Sequence, residues 1–214
     1  MGGRRAAPPR PAGARRLVCV VEGRGEVQAV PCLCSRVRDY LQAWSWFVDP
    51  EPVRQSRSAL VDERVRSPNR PPRSDTLARA VELAARRPAD AVLVMCDSDD
   101  DCPAAWGPEA KKILSRRAPG GAVMAVREFE AWLLISHLRA GALEGRSLEQ
   151  IRDAKGKLSR LVGGYTPTVH QRKLTERIDL DMVRMFSDSF DKLIRTLADL
   201  FEVGCPPRPS SFQS

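Results

Sequence analysis

Three short apolar segments, each followed at once by acidic residues, constrain the fold of this 214-residue chain more than any other feature. They read "LVCVV" at 17–21, "ADAVLVMCD" at 89–97 and "GAVMAV" at 121–126. Short continuous apolar runs of this kind predict strands that are buried on both faces of a sheet. Segments with the apolar spacing of helices, such as 26–42 and 74–87, lie between them. Alternating strands and helices predict an α/β, Rossmann-like fold with a mainly parallel sheet flanked by helices.

The rest of the chain adds a strand, a loop and a helical region to this prediction. "WSWFV" at 44–48 is a candidate second strand, and the Pro- and Arg-rich segment 50–74 predicts a long surface loop. After residue 147 only helical patterns follow, and the last one carries an apolar stripe that includes Phe190, Leu193 and Leu197. We expect that stripe to dock on the core of the same domain.

These patterns predict one folded domain with a tail at each end. The domain spans 17–204, and its part from 147 to 204 is a helical C-terminal extension. The first 16 residues are rich in Pro, Gly and Arg, which predicts a disordered basic tail, and 205–214 forms a short second tail.

Net charge and cysteine content narrow the class of protein. The formal net charge is +8, but five arginines of segment 1–16 supply most of it, so the predicted domain is only weakly basic. The six cysteines form no CxxC pair, and Cys19 and Cys96 lie in predicted core strands, which disfavours zinc and disulfides. No signal peptide and no run of ~18 apolar residues is visible. The sequence predicts a reduced, cytoplasmic protein with no membrane partner.

Acidic residues follow all three predicted buried strands. They are Glu22 and Glu26 after the first, Asp97, Asp99 and Asp101 after the second, and Glu128 and Glu130 after the third. The carboxyl ends of parallel strands meet at one edge of a sheet, and neighbouring strands lie ~4.8 Å apart. Three adjacent strand ends would therefore gather these carboxylates within about 10 Å.

A cluster of this kind needs a cation. Carboxylates so close together repel and raise each other's pKa unless a positive charge neutralises them. Hard oxygen ligands suit Mg²⁺ or Mn²⁺, and two ions ~3.5–4 Å apart would suit phosphodiester chemistry. Each acid taken singly has an ordinary alternative, since "DSDDD" at 97–101 could also be a helix N-cap run.

The same motifs resemble a known family. An acid–glycine pair after the first strand and a D-x-D after a later strand resemble the TOPRIM domain of primases, topoisomerases and related nucleases. The fuller set "EGRGE", "DSD" and "REFEAW" is most similar to the TOPRIM branch of the OLD (overcoming lysogenization defect) nucleases. Within that branch it resembles a small stand-alone prokaryotic family that often neighbours an ATPase, and the resemblance covers roughly 17–201.

The resemblance implies a TOPRIM-like fold, a nuclease activity and a role for each acid. Glu22 would be a metal ligand or general base, with Glu26 as a second ligand. Asp97 and Asp99 would bind or bridge Mg²⁺ or Mn²⁺ ions, and Glu130 would hold the second ion. OLD nucleases also use a downstream lysine on the phosphate, for which Lys155, Lys157 and Lys173 are the candidates.

The implied partners are a nucleic acid, DNA in preference to RNA, and an ATPase. The residues expected to contact the nucleic-acid backbone are Arg24, Arg64, Arg66, Arg70 and Lys173. Full-length OLD proteins carry their own ATPase, whereas nothing in this sequence matches the phosphate-binding pattern GxxxxGK[ST]. If ATP controls this nuclease in phage or plasmid defence, a partner protein must supply it.

Other functions fit parts of the pattern. A strand that ends in D-x-D also occurs in nucleotidyl- and glycosyl-transferases, although those folds do not require "EGxxE" after the first strand. A non-catalytic nucleic-acid-binding module is another alternative, which an intact carboxylate cluster disfavours. Asp97, Glu109 and Lys111 match the D…ExK spacing of restriction-type nucleases, but "PEAKKILSRR" has a helical pattern and that motif needs a strand. His137 and His170 are expected to be structural.

Overall fold

The computed structural model describes residues 10–61, 76–138 and 148–210. Its strands are β1 Arg15–Val21, β2 Trp46–Val48, β3 Val53–Arg54, β4 Ala91–Asp97 and β5 Gly120–Ala125. Its helices are α1 Glu26–Tyr40, α2 Arg57–Leu60, α3 Thr76–Ala85, α4 Pro103–Ser115, α5 Phe129–His137, α6 Ala154–Val162, α7 Arg172–Thr175, α8 Leu180–Phe186 and α9 Asp188–Phe201. A 3-10 turn at Leu148–Gln150 precedes α6, and a π-helical segment at Pro167–Gln171 precedes α7.

The strands form one parallel sheet in the order β2-β1-β4-β5. The short strands β2 and β3 share the same side of β1, because β2 pairs with its beginning and β3 with Val20 and Val21 at its end. Strands β1, β4 and β5 are neighbours, so their carboxyl ends lie side by side. The predicted α/β fold with a parallel sheet flanked by helices is confirmed.

Alternate residues of the central strands point to two separate apolar layers. In β1, Leu17, Cys19 and Val21 pack in one layer, whereas Val18 and Val20 pack in the other. The first layer contains α1, α5, α8 and α9, and the second contains α3 and α4. Both faces of the sheet are therefore covered, which is why its strands read as continuous apolar runs rather than as alternating ones.

The C-terminal helices belong to the first of these layers. Phe190, Leu193, Ile194 and Leu197 of α9 are fully buried, as the apolar stripe predicted. The ring of Phe190 packs edge-on against Trp132 of α5, with ring centroids 5.1 Å apart. Within 148–210, every regular element that the structure describes is helical.

The predicted boundaries need three corrections. Strand β1 begins at Arg15, inside the predicted tail, and the guanidinium of Arg15 lies 4.2 Å from the centre of the Trp46 ring. Part of the predicted surface loop 50–74 is ordered against the sheet as β3 and α2, with Leu60 buried. The start of the C-terminal tail is also held, because Arg184 donates to the carbonyl oxygen of Pro206.

Two further features concern the cysteines and the lengths of the helices. All six cysteines are free thiols. Among the described residues, no helix combines the length and the apolar character needed to cross a membrane.

Candidate metal centre

Three carboxylates come together where β1, β4 and β5 end. Glu26 opens α1 after the turn that follows β1, Asp97 is the last residue of β4, and Glu130 lies in the first turn of α5 after β5. We call them the inner carboxylates. They are close enough that the charges of Glu26 and Glu130 both raise the pKa of Asp97.

The inner carboxylates carry a charge that the surrounding protein does not balance. Glu26 is 5% exposed and Glu130 is 6% exposed. Burial raises the pKa of all three groups, and for Glu26 it does so to about 7. In the part of the chain that the structure describes, no lysine or arginine nitrogen forms an ion pair with any of them.

Each inner carboxylate is held in place by neutral donors. The backbone N–H groups of Glu22 and Gly23 both donate to Oε2 of Glu26, at 3.1 Å each. The N–H of Phe129, the first residue of α5, donates to Oδ1 of Asp97 at 2.8 Å. The hydroxyl of Tyr165 donates to Oε1 of Glu130 at 3.0 Å. These bonds fix the orientation of each group while leaving its negative charge uncompensated.

A second set of acids surrounds Arg57 next to this group. Glu22, Asp99 and Asp101 all form ion pairs with the guanidinium, and we call them the outer carboxylates. Burial by itself would lower the pKa of Arg57, but the hydrogen bond that it donates to Asp101 and the charges of Glu22 and Asp99 outweigh burial and raise that pKa. Asp99 adopts a left-handed backbone with φ of 48°.

The predicted acids thus divide between the two sets. Glu26, Asp97 and Glu130 form the inner one, whereas Glu22 and Asp99 contact Arg57 instead. Burial raises the pKa of Glu22, although Arg57 counteracts the shift. Asp99 does not join the inner group, because its carboxylate lies 3.3 Å from Nε of Arg57.

The donor chemistry of the inner set fits a divalent cation. Carboxylate oxygens are the ligands that Mg²⁺ and Mn²⁺ prefer. Within the described ranges, no group of three or more His, Cys, Asp or Glu side chains forms a ready-made metal site. The hydrogen bonds above engage only one oxygen of each inner carboxylate.

The candidate lysines lie at different distances from the acids. The backbone N–H of Lys155 donates to Oε2 of Glu128 at 3.1 Å, and the positive charge of Lys155 lowers the pKa of Glu130. Lys157 instead lines a cleft between α5 and α6 with Leu134 and Leu161. Lys173 is exposed on α7 and forms no ion pair or hydrogen bond with the described residues. Of the three candidates, Lys155 is therefore the one whose charge acts on an inner carboxylate.

The predicted arginine contacts are only partly described. Arg24 is exposed in the turn between β1 and α1, beside the acidic edge. Arg64, Arg66 and Arg70 lie outside the described residues.

Sequence reasoning missed three residues at this edge. Arg57 was predicted as one of many loop arginines and instead lies among the acids. Tyr165 contacts Glu130, and burial together with that carboxylate raises its pKa far above the ordinary value, so its hydroxyl stays protonated. Gln171 is 2% exposed beside Gly25, and its Oε1 has no hydrogen-bond partner among the residues that the structure describes. No local motif marks any of them, because tertiary packing brings them to the acids.

The residues of the rival motifs have ordinary surroundings. Glu109 lies on the exposed face of α4, where Lys112 contacts it at 2.7 Å, and so does not lie on a strand. Nδ1 of His137 lies 2.8 Å from the carbonyl oxygen of Leu133, one turn earlier in α5. Nδ1 of His170 accepts from the N–H of Thr166 at 2.9 Å.

Comparisons with known proteins assign no family. No protein-family model, curated protein or solved structure matches this chain.

Proposed function

We propose that this protein is a metal-dependent nuclease of the TOPRIM and OLD type, which cleaves phosphodiester bonds of nucleic acid. The observation that carries the proposal is the inner group itself. Three carboxylates with uncompensated charge lie at the carboxyl edge of a parallel sheet, where α/β proteins bind their ligands. A purely structural edge has no reason to retain them, because unpaired carboxylates close together only destabilise the fold.

Each residue at this edge can be given a role in the proposed cleavage reaction. Glu26, Asp97 and Glu130 would hold the divalent cation, which polarises a phosphoryl oxygen and lowers the pKa of a bound water. The hydroxyl of Tyr165 keeps Glu130 oriented, and the N–H of Phe129 does the same for Asp97. Glu22, whose pKa is raised, is the candidate general base. Lys155 supplies a positive charge for the phosphate beside Glu130.

The proposed substrate is DNA in preference to RNA, and the proposed partner is an ATPase. The exposed Arg24 and Lys155 lie beside the acids, where they would contact phosphates rather than bases. The ATPase follows from the resemblance and from the missing phosphate-binding motif. Six free thiols support a cytoplasmic location.

The proposal is tested by cleavage assays on plasmid, single-stranded DNA and RNA, with Mg²⁺, Mn²⁺ or chelator, with and without the candidate ATPase. We expect metal-dependent cleavage that falls at least ~100-fold in Asp97→Asn. Glu109→Gln, an exposed acid on α4, is the matched control and should cleave like the wild type. Cleavage that persists in chelator, or at full rate in Asp97→Asn, would rule out this function for the inner carboxylates.

A further inference from the structure

Arg57 is hydrogen-bonded to the protein through both terminal nitrogens of its guanidinium, and its Nε forms an ion pair. Nη1 donates to Glu22 and to the carbonyl oxygen of Asp97, at 3.2 Å and 2.6 Å. Nη2 donates to the carbonyl oxygen of Ser98, at 2.9 Å, and to the carboxylate of Asp101. Nε lies 3.3 Å from the carboxylate of Asp99. Of the five N–H groups of a guanidinium, the four on the terminal nitrogens are therefore used, and the fifth faces an ion-pair partner.

This bonding makes Arg57 a fixed part of the centre. Its side chain is 21% exposed and that of Asp101 is 1% exposed, so the ion pair between them is shielded from solvent. Withdrawing the guanidinium would leave Asp101 and two carbonyl oxygens without this donor in a partly buried place, which is costly. A guanidinium also stays charged at every pH at which the protein folds.

The two sets of carboxylates therefore differ in whether a positive charge lies among them. The outer set already contains a cation that the chain itself supplies. The inner set contains none among the described residues, although it is as acidic and more deeply buried. A second divalent ion would need the outer carboxylates as ligands, and Arg57 already pairs with all three of them.

We propose that Arg57 occupies the second cation position of this centre, so that each chain binds one divalent ion, at the inner carboxylates. The inference rests on the proposed function, and it replaces the two ions that the sequence suggested. It also removes Asp99 from the metal ligands and gives it a different role, which is to hold the guanidinium. Both terminal nitrogens are fully hydrogen-bonded and Nε is ion-paired, so Arg57 supplies charge to the site without binding a phosphate directly.

The number of bound ions tests this inference without any activity measurement. Equilibrium dialysis with Mn²⁺, with free ion followed by its electron paramagnetic resonance signal, gives the number of ions per chain. We expect one for the wild type. Two ions of comparable affinity would overturn the inference and leave the proposed nuclease intact. No bound ion at all would overturn the metal centre itself, and this inference with it.

A matched pair of variants locates the ion. Asp97→Asn and Asp99→Asn each remove one negative charge from the same D-x-D segment, and asparagine tolerates the left-handed backbone of residue 99. The inner site predicts that Asp97→Asn lowers Mn²⁺ affinity at least ~10-fold, while Asp99→Asn leaves it within a factor of about 2. A loss of Mn²⁺ binding in Asp99→Asn as large as that in Asp97→Asn contradicts the proposed arrangement.

Replacing Arg57 tests the second cation position directly. Arg57→Gln should bind a second Mn²⁺ at the vacated outer carboxylates, whereas Arg57→Lys keeps the charge and should still bind one. Arg152→Gln is the control, because it removes an exposed arginine that contacts Asp100 on the same edge. One ion in a folded Arg57→Gln variant would refute the role given to Arg57. If that variant does not fold, the number of Mn²⁺ ions bound by the wild type and the Mn²⁺ affinities of Asp97→Asn and Asp99→Asn still test the inference.

Discussion

Asp97 combines a structural bond with an unfavourable charge. Its Oδ1 accepts from the N–H of Phe129, so it caps α5 from the neighbouring strand β4 instead of capping the helix that follows it in sequence. The positive end of the helix dipole favours the charge there. Burial and the charges of Glu26 and Glu130 act in the opposite direction and raise the pKa. The hydrogen bond can be separated from the charge, since an uncharged oxygen at residue 97 can still accept from the N–H of Phe129.

We predict that Asp97→Asn leaves the metal-free protein as stable as the wild type, or more so. The amide oxygen can still accept from Phe129, and one fewer negative charge relieves the repulsion in the inner group. Stabilisation by Mg²⁺ or Mn²⁺ should be lost, because a charged ligand is gone. Thermal melting with metal and with chelator measures both effects.

Asp97→Ala serves as the comparison for this variant. It removes the cap as well as the charge, so the metal-free protein should lose about 0.5–2 kcal/mol relative to Asp97→Asn. Metal-induced stabilisation that persists undiminished in both variants would exclude Asp97 from the metal site.

Glu26 makes the stability of the metal-free protein depend on pH. Its pKa rises from an ordinary 4.5 to about 7 in the folded protein, chiefly through burial. Between these two values the folded state binds more protons than the unfolded state, so stability must fall as the pH increases through that window. We predict a loss of roughly 1–3 kcal/mol between pH 5 and pH 7.5 in chelator, since one pKa unit corresponds to ~1.4 kcal/mol. Urea unfolding at the two pH values measures it.

Glu26→Gln tests whether the titration of Glu26 causes this fall in stability. Its amide oxygen can still accept from the N–H groups of Glu22 and Gly23, so the turn is retained while the titration is removed. The fall in stability with pH should become smaller in this variant. An equally steep fall would mean that other groups produce the whole effect.

Single residues show which parts of the site a sequence can reveal. The inner acids were predictable, because each lies at or within five residues of the end of a buried strand and parallel strand ends must meet. Arg57 was not, since it is one of several arginines in a Pro- and Arg-rich segment and only the pairing of β3 with β1 brings it to the acids. Tyr165 and Gln171 are similarly distant in sequence, and their positions depend on how the C-terminal helices pack.

At the level of elements, the π-helical segment Pro167–Gln171 closes against the start of α1. A Cβ atom at Gly25 would lie 2.0 Å from Oε1 of Gln171 and 2.8 Å from Cβ of Pro167. The backbone of Gly25 is right-handed, with φ of −67°, so alanine fits its conformation and only the contact forbids it. Gly25, the second glycine of "EGRGE", is therefore required by this packing.

We predict that Gly25→Ala destabilises the protein by about 1–3 kcal/mol, the usual cost of overpacking a buried contact. Part of the loss should return in Gly25→Ala with Gln171→Ala, because the second change removes the nearest clashing atom. Gly204→Ala is the control, since a Cβ atom there meets nothing within 4 Å. Chemical denaturation of the four proteins is the measurement, and equal stability of Gly25→Ala and wild type would show that the segment moves aside freely.

Elements with a long apolar pattern were predicted, and short ones were not. Strands β1, β4 and β5 are buried on both faces and so have continuous apolar sequences. Strand β3 has two residues and α2 has four, which is too few for a periodic pattern to appear. These two elements form because β3 pairs with β1 and Leu60 is buried. Both are contacts with distant parts of the chain.

At the level of the whole molecule, the sheet connects the site to both apolar layers. Trp106 of α4 donates from Nε1 to the carbonyl oxygen of Leu60 in one layer. Trp132 of α5 and Trp46 of β2 lie in the other, where Trp46 contacts Phe201 at 5.2 Å between ring centroids. Because every central strand contributes to both layers, we expect the two layers to unfold together.

The last prediction follows from this arrangement. With 5-fluorotryptophan incorporated, the ¹⁹F signals of Trp46, Trp106 and Trp132 should disappear at one urea midpoint, as in a single cooperative unit. Trp44 is 66% exposed and provides the reference signal for an unburied ring. If Mn²⁺ binds the folded protein, it should shift all three midpoints by the same amount, because a ligand stabilises the whole unit that forms its site. Loss of the Trp132 signal well before that of Trp106 would instead make the C-terminal helices a separate folding unit, and a metal shift confined to one signal would place the ion in that unit alone.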